Sequence, residues 1–309
     1  MPESAARAMG LPPDLVNLNR GLHSLPPDLH AVHKRLLTPA VSAGCVEPHH
    51  EAVWAALEAY AEGWTPGRPM GLLAHMREAM LRAAAAVLFG ARHGESTRLA
   101  RLLQTYFHLR REASAPVAEG GKPQRAELVA VGTSLDAELR TQVREWCRSA
   151  DSSGDGVLGR LSRLGLGPEA MMTEDEIVGH ANVLFVSSTE PVAVALTWTL
   201  LVLSQLPALR DELRAEIRPL TEGGVPGTRQ LGRLPLLDRV LAECLRLLPP
   251  NAFMVRITTR PTSLDGLDLP ERCEVVICPF LAHRDPAAFP RPAAFSPARW
   301  AKSSPSPFD

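Results

Sequence analysis

Residues 183–206 form a long, largely apolar stretch that demands either a bilayer or a protein core, and that choice constrains what the rest of the chain can fold into. A membrane span needs about 20 consecutive apolar residues. The middle of this stretch reads Ser187-Ser188-Thr189-Glu190-Pro191. At a bilayer centre it would place an acid and a helix breaker where both are costly unless they face a cavity. A buried helix of a soluble protein is the better reading. Upstream, Thr173 with Glu176 three residues on makes the capping-box pattern that opens such a helix.

The neighbouring segments repeat apolar residues at three- and four-residue steps, so the expected fold class is mainly α. Helices are expected over Leu29–Val41, Glu51–Ala61, Gly71–Phe89, Glu95–Arg111, Arg125–Ser149, Glu174–Leu206, Ala208–Pro219 and Leu236–Leu247. Gly90 suits a left-handed cap after the third. Ala113–Pro123 and Thr221–Thr228 read as surface connections. After Pro249-Pro250 the pattern changes. Met254–Thr259 and Glu274–Pro279 are short β-branched runs separated by the turn signal Asp265-Gly266, which predicts a small β-sheet following the helices.

A length of 309 residues, 45% hydrophobic and 22% charged, belongs to an ordinary globular chain. A net charge of -1 provides no field to hold phosphate backbones or an anionic membrane face, so neither nucleic acid nor membrane is expected as a partner. Five cysteines without a C-x-x-C pair, and an N-terminus lacking a signal-peptide apolar run, point to a reducing, cytoplasmic setting. Asp151-Ser-Ser153-Gly-Asp155-Gly156 imitates a calcium loop, but its twelfth position is Ser162 where the site requires a bidentate Glu, and a plain turn is the better reading. No P-loop, G-x-S-x-G or H-E-x-x-H motif occurs, and no metal ligand set is expected.

Glu243 and Arg246 stand three apart on an expected helix and so share a face. The same spacing occurs at Glu95 and Arg98 and at Glu145 and Arg148, where a solvated pair is the ordinary reading. The third instance differs in its apolar flanks, Leu236-Leu237 before and Leu247-Leu248-Pro249-Pro250 after, which predict burial. Buried ions need full partners, so a third charge is expected, and Arg299 in Phe295-Ser-Pro297-Ala-Arg299-Trp300 supplies it.

The ordered series E-x-x-R, P-P, V-x-R, His283-Arg284-Asp285-Pro286 and F-x-P-x-R-W resembles the second half of the cytochrome P450 superfamily. The resemblance implies a P450-type helical fold, incomplete here. It covers residues 1–309 as a single partial domain, with a helical region over 29–248 and a small-sheet and meander region over 249–309. It also implies a structural triad of Glu243, Arg246 and Arg299 bracing a heme-binding core, with Arg256 as a heme-propionate ligand. Upstream, Pro26-Pro27-Asp28-Leu29-His30 through Lys34-Arg35-Leu36 to Pro39-Ala40 resembles the family's segment that crosses one heme edge, which gives His30 and Lys34 to propionates. His30 with His33 also admits a surface pair or half a metal site.

Leu184 to Trp198 is similar to the family's distal, oxygen-handling helix, and Pro191 falls where the proton-delivering threonine stands. A proline there should bend or open the helix. Glu190 and Thr189 are the expected catalytic residues, with the neighbouring hydroxyls or a water relaying protons. Glu190 would repel a fatty-acid carboxylate.

The resemblance implies a heme-thiolate monooxygenase that inserts oxygen into a small organic substrate, with electrons from a ferredoxin or flavodoxin-type donor. Pro191 keeps open threonine-independent chemistry: peroxide-driven oxidation, coupling or rearrangement. The family's cysteine loop, F-x-x-G-x-R-x-C-x-G, does not occur in the nine residues after Trp300. The expectation is therefore a chain truncated at both ends and lacking the thiolate ligand of its heme, which leaves a third alternative, a non-catalytic fragment.

Overall fold

The computed structural model describes residues 20–90, 98–114, 122–148, 156–167, 171–222 and 224–301, with Leu15 and Leu18. Glu95, most of the connection expected at Ala113–Pro123, and most of the turn at Asp151–Gly156 lie outside these residues. The chain separates into two compact units, Met1–Glu190 and Pro191–Asp309.

The first unit is helical: α1 (Pro27–Ala40), α2 (His50–Glu62), α3 (Leu72–Phe89), α4 (Arg98–Ser114), α5 (Lys122–Arg148), α6 (Val157–Leu166) and the start of α7 (Glu174–Gln205). Its core gathers Phe89, Tyr106, Leu135, Leu161, Ile177 and Phe185, each at most 1% exposed. Gly90 follows α3 with φ +77° and ψ 179°, positive but outside the left-handed helical region that the sequence suggested. Helix α6 is absent from the sequence reading. Its apolar positions Val157, Leu158 and Leu161 have helical spacing and are buried, but Gly159 and Gly165 lower the intrinsic propensity of so short a segment.

Helix α7 begins with the capping box: Thr173 N–H donates to Glu176 Oε2 at 2.8 Å and Glu176 N–H donates to Thr173 Oγ1 at 3.3 Å. Among the described residues it is the one helix long and apolar enough, by length and composition, to cross a membrane. Its first half is core, with Ile177 and Val178 fully buried. Gly179 lies against the backbone of Arg20, where an added Cβ would stand 2.7 Å from the Arg20 carbonyl carbon. Gly179→Ala is expected to cost about 1–3 kcal/mol by forcing that segment away, as read by thermal unfolding.

The helix runs unbroken through Pro191. The proline does not end the helix. Proline removes one backbone donor, and a single missing hydrogen bond does not end a helix of 32 residues flanked by buried Phe185 and Ala193.

The second unit contains the end of α7, then α8 (Pro207–Thr221), α9 (Pro235–Leu247) and four short strands: β1 (Met254–Ile257), β2 (Thr262–Leu264), β3 (Leu267–Leu269) and β4 (Glu274–Ile277). Its small apolar core is Leu213, Val240 and Cys244. The Glu216 carboxylate caps α9, accepting from Leu236 N–H at 2.9 Å and Leu237 N–H at 3.0 Å, where a helix start offers unpaired donors and favours negative charge. Two antiparallel pairs form, β1 with β4 and β2 with β3. Asp265 (φ 50°) and Gly266 (φ 78°) close the second as its own hairpin, with both turn residues at the positive φ that tight hairpins require.

Candidate functional site

The Glu243 side chain is fully buried on α9, and each of its carboxylate oxygens is held by several donors. Arg246, one turn on and 2% exposed, grips both oxygens at 2.9 Å. Arg299 Nε reaches the same oxygens at 3.0 and 3.1 Å, Ser296 N–H donates to Oε1 at 2.8 Å, and Trp300 Nε1–H donates to Oε2 at 2.9 Å. Burial pushes the Glu243 carboxyl upward, but the donors from Arg246, Ser296, Arg299 and Trp300 outweigh it and hold the group below the usual carboxylate range.

Arg246 uses every donor it has. Beyond Glu243 its guanidinium reaches the carbonyls of His283 and Pro292 at 2.8 Å and of Ala294 at 3.2 Å, which accounts for all five N–H groups. The structure therefore brings the three predicted residues together and adds two partners the sequence reading omitted, Ser296 N–H and Trp300. The indole was legible as the last letter of F-x-P-x-R-W. The backbone donor carries no sequence signal.

A separate cleft of about 1040 Å³ lies within the first unit, between α3, α4 and α7. Its apolar lining includes Phe107 and Phe185, whose rings stack at 5.6 Å and 6°. Glu190 and Thr189 both line it, and their hydrogen bonds on record go to different partners. The Thr189 hydroxyl donates back to the Phe185 carbonyl at 2.8 Å, and Ser188 does so at 3.1 Å. Glu190 is instead gripped by Arg77 of α3, whose Nε lies 3.1 and 3.0 Å from the two carboxylate oxygens while Nη2 also donates to Oε1. Sequence reasoning missed Arg77. It stands 113 residues from Glu190, and no local pattern marks it.

A family model described as Cytochrome P450 matches residues 160–307. Cyclooctatin synthase of Streptomyces melanosporofaciens is 31% identical over 88% of this chain and 61% of its own length. The chain belongs to the cytochrome P450 superfamily. Pentalenene oxygenase of Streptomyces avermitilis is 27% identical, over 91% of this chain and 63% of that protein. The chain thus spans about three fifths of the curated relatives it matches. A zebrafish cytochrome P450 solved with progesterone superposes with a TM-score of 0.76 at 20% identity, covering 93% of this chain and 72% of that one. The mainly helical architecture with small antiparallel sheets is that of P450 folds.

The P450 family implies heme, and the residues here fit part of that requirement. On α1, His30 and Lys34 lie one turn apart, His30 partly exposed and Lys34 exposed, with no hydrogen bond or ion pair from either side chain among the described residues. Arg256 is exposed on β1 and, among the described residues, donates only to the adjacent Val255 carbonyl at 3.0 Å. Among the described residues, Lys34 and Arg256 therefore keep side-chain donors that no other side chain takes. His33 does not pair with His30. It is 1% exposed, and its Nδ1 lies 2.9 Å from His180 Nε2 on α7, which excludes the surface pair.

None of the five cysteines stands in the G-x-R-x-C-x-G pattern. Burial pushes the Cys244 and Cys147 thiols up, which favours the protonated form. Cys273 and Cys278 turn their thiols to the carbonyls of Glu274 and Ala252. Cys45 accepts from Arg160 at 3.2 Å in the first unit.

Proposed function

We propose that these 309 residues are part of a heme-thiolate monooxygenase that inserts oxygen into a small organic substrate. The observation that carries this reading is the Glu243 centre. A fully buried carboxylate is saturated by Arg246, Arg299 and Trp300 in the order and spacing of the P450 motifs, on a chain of that fold. Relatives named cyclooctatin synthase, cyclooctat-9-en-7-ol 5-monooxygenase and pentalenene oxygenase support a small hydrocarbon-derived substrate. Heme supplies oxygen activation when bound. In the first unit His30 and Lys34, and separately in the second unit Arg256, are the residues that the motif match gives to heme propionates, and side-chain donors of this kind suit carboxylates. A ferredoxin or flavodoxin-type donor would supply electrons in the cytoplasm, a location that five unpaired cysteines support.

Pro191 favours a second version of the chemistry, without threonine-assisted proton delivery. Comparing turnover on peroxide alone with turnover on a reduced redox partner separates the two. Failure on peroxide with success on the partner eliminates the second version.

The cysteine environments favour the view that the thiolate ligand of the heme would not come from these residues. Hemin added to the 309-residue chain is expected to give no thiolate-type Soret shift in the reduced carbon-monoxide spectrum. A polypeptide extended through a downstream cysteine loop is expected to give it. A thiolate-type band from the 309 residues alone would overturn this view, and its absence from the extended polypeptide would overturn the monooxygenase reading.

A further inference from the structure

Tyr60 lies in the last turn of α2 and His75 in the first turn of α3, and the fold sets the phenol against the imidazole, with Tyr60 Oη 2.8 Å from His75 Nδ1. Among the described residues the Tyr60 hydroxyl meets no other acceptor. It therefore donates to Nδ1, and the neutral ring carries its own hydrogen on Nε2. A base thus stands within proton-transfer reach of a phenol.

Burial, reinforced by the Glu78 carboxylate and opposed by Arg82, pushes the Tyr60 phenol up. At neutral pH the phenol keeps its proton, and it gives up an electron readily only if that proton leaves at the same time. His75 provides the exit. Arg82 lies 5.1 Å over the Tyr60 ring, where a bare cation would oppose electron loss, but it donates to Glu78 Oε1 at 3.1 Å, which offsets its charge. Trp64 stands edge-on to both rings, 6.3 Å from Tyr60 and 6.2 Å from His75. Its buried Nε1–H has no partner among the described residues, so an oxidised indole there has no base to take its proton. Of the two oxidisable rings, only Tyr60 has an acceptor.

We propose that Tyr60 and His75 form a site of reversible, proton-coupled one-electron oxidation between α2 and α3, with Tyr60 as the redox-active group and His75 as its base. Towards a high-potential metal oxidant, the Tyr60 O–H bond breaks, one electron passes to the oxidant and reduces it, and the proton moves to His75 Nδ1. A neutral tyrosyl radical is left beside an imidazolium. A one-electron donor of the ascorbate class returns the electron, and His75 returns the proton. Tyr60, Trp64 and His75 are all partly exposed, so soluble reactants can reach the site. The site adds a radical function to the oxygen chemistry proposed above and does not depend on it.

The radical can be assigned because the chain has two tyrosines, and the other, Tyr106, is 0% exposed. The 309-residue chain is mixed with a ruthenium(II) polypyridyl complex and persulfate, and the ruthenium(III) formed by a light flash serves as oxidant. Transient absorption and electron paramagnetic resonance follow the tyrosyl radical. Wild type is expected to form it, more slowly in heavy water, and Tyr60→Phe to form none. His75→Asn keeps a hydrogen-bond acceptor but is no base, and should form the radical roughly a hundredfold more slowly, the lower end of what a positioned base contributes. His75→Ala should be equally slow and should recover with added imidazole.

A tyrosyl signal that survives Tyr60→Phe, wild-type rates in folded His75→Asn and His75→Ala, or a wild-type rate that is the same in light and heavy water would each overturn the inference. The solvent comparison needs no substitution, so it decides the matter even where circular dichroism shows that a variant has not folded.

Discussion

Glu243→Gln is expected to destabilise the Pro191–Asp309 unit by about 3–5 kcal/mol, the usual result of removing one partner from a buried ion pair. The substitution keeps the shape of the side chain and removes its charge. Arg246, 2% exposed, would then sit buried against a neutral amide whose NH₂ cannot accept from it. Urea unfolding followed by tryptophan fluorescence measures the loss, since one of the five indoles, Trp300, donates directly to the carboxylate.

A pH series gives an independent reading of the same residue. The folded carboxyl is held below its ordinary value. Its contribution is therefore complete above the unfolded-state pKa and disappears as pH falls through the lower, folded one. Wild-type stability should decline across that acidic window, and Glu243→Gln should show a shallower decline. Equal slopes would remove Glu243 as the source.

Phe185→Ala is expected to cost the first unit about 3–5 kcal/mol, the range for truncating a buried aromatic ring. Phe185 is 1% exposed and lies in a stack, 6.3 Å from the Phe89 ring and 5.6 Å from Phe107. Removing it separates two helices, α3 and α4, that both pack on α7 through this ring. Thermal unfolding of the variant measures the cost. A loss under about 1 kcal/mol would mean that the neighbouring rings collapse into the space.

Which features could be read from the sequence follows from how local their causes are. The Glu243 centre was legible because its charged members occur in a fixed order and because apolar flanks imply burial, which in turn implies a counter-charge. The capping box at Thr173 was legible because its partners are three residues apart. Helix starts were placed late at Leu29, Ala208 and Leu236 because a proline reads as a break. Pro27, Pro207 and Pro235 instead occupy the first turn, where a missing N–H costs nothing and the fixed φ helps.

The features that escaped are those decided by packing. Glu190 finds Arg77 across 113 residues and His33 finds His180 across 147, and a sequence cannot say which helix faces will meet. The continuity of α7 through Pro191 has the same origin, since the buried residues on either side keep the helix in register. In the sheet region, Asp265-Gly266 was read as a separator between two strands of one sheet. It is the tip of a hairpin of its own, because residues on both sides of a two-residue turn can pair at once.

Arg246 does more than neutralise a charge. Its guanidinium joins α9 to carbonyls 37, 46 and 48 residues further along the chain. A covalent cross-link closing loops of this length would be worth roughly 4 kcal/mol through chain entropy alone. The protein makes the closure with hydrogen bonds in a chain whose five cysteines are all free thiols. A guanidinium cannot be reduced, and it keeps its proton throughout the physiological range. The meander is therefore stapled in a way that does not respond to the redox state of its surroundings.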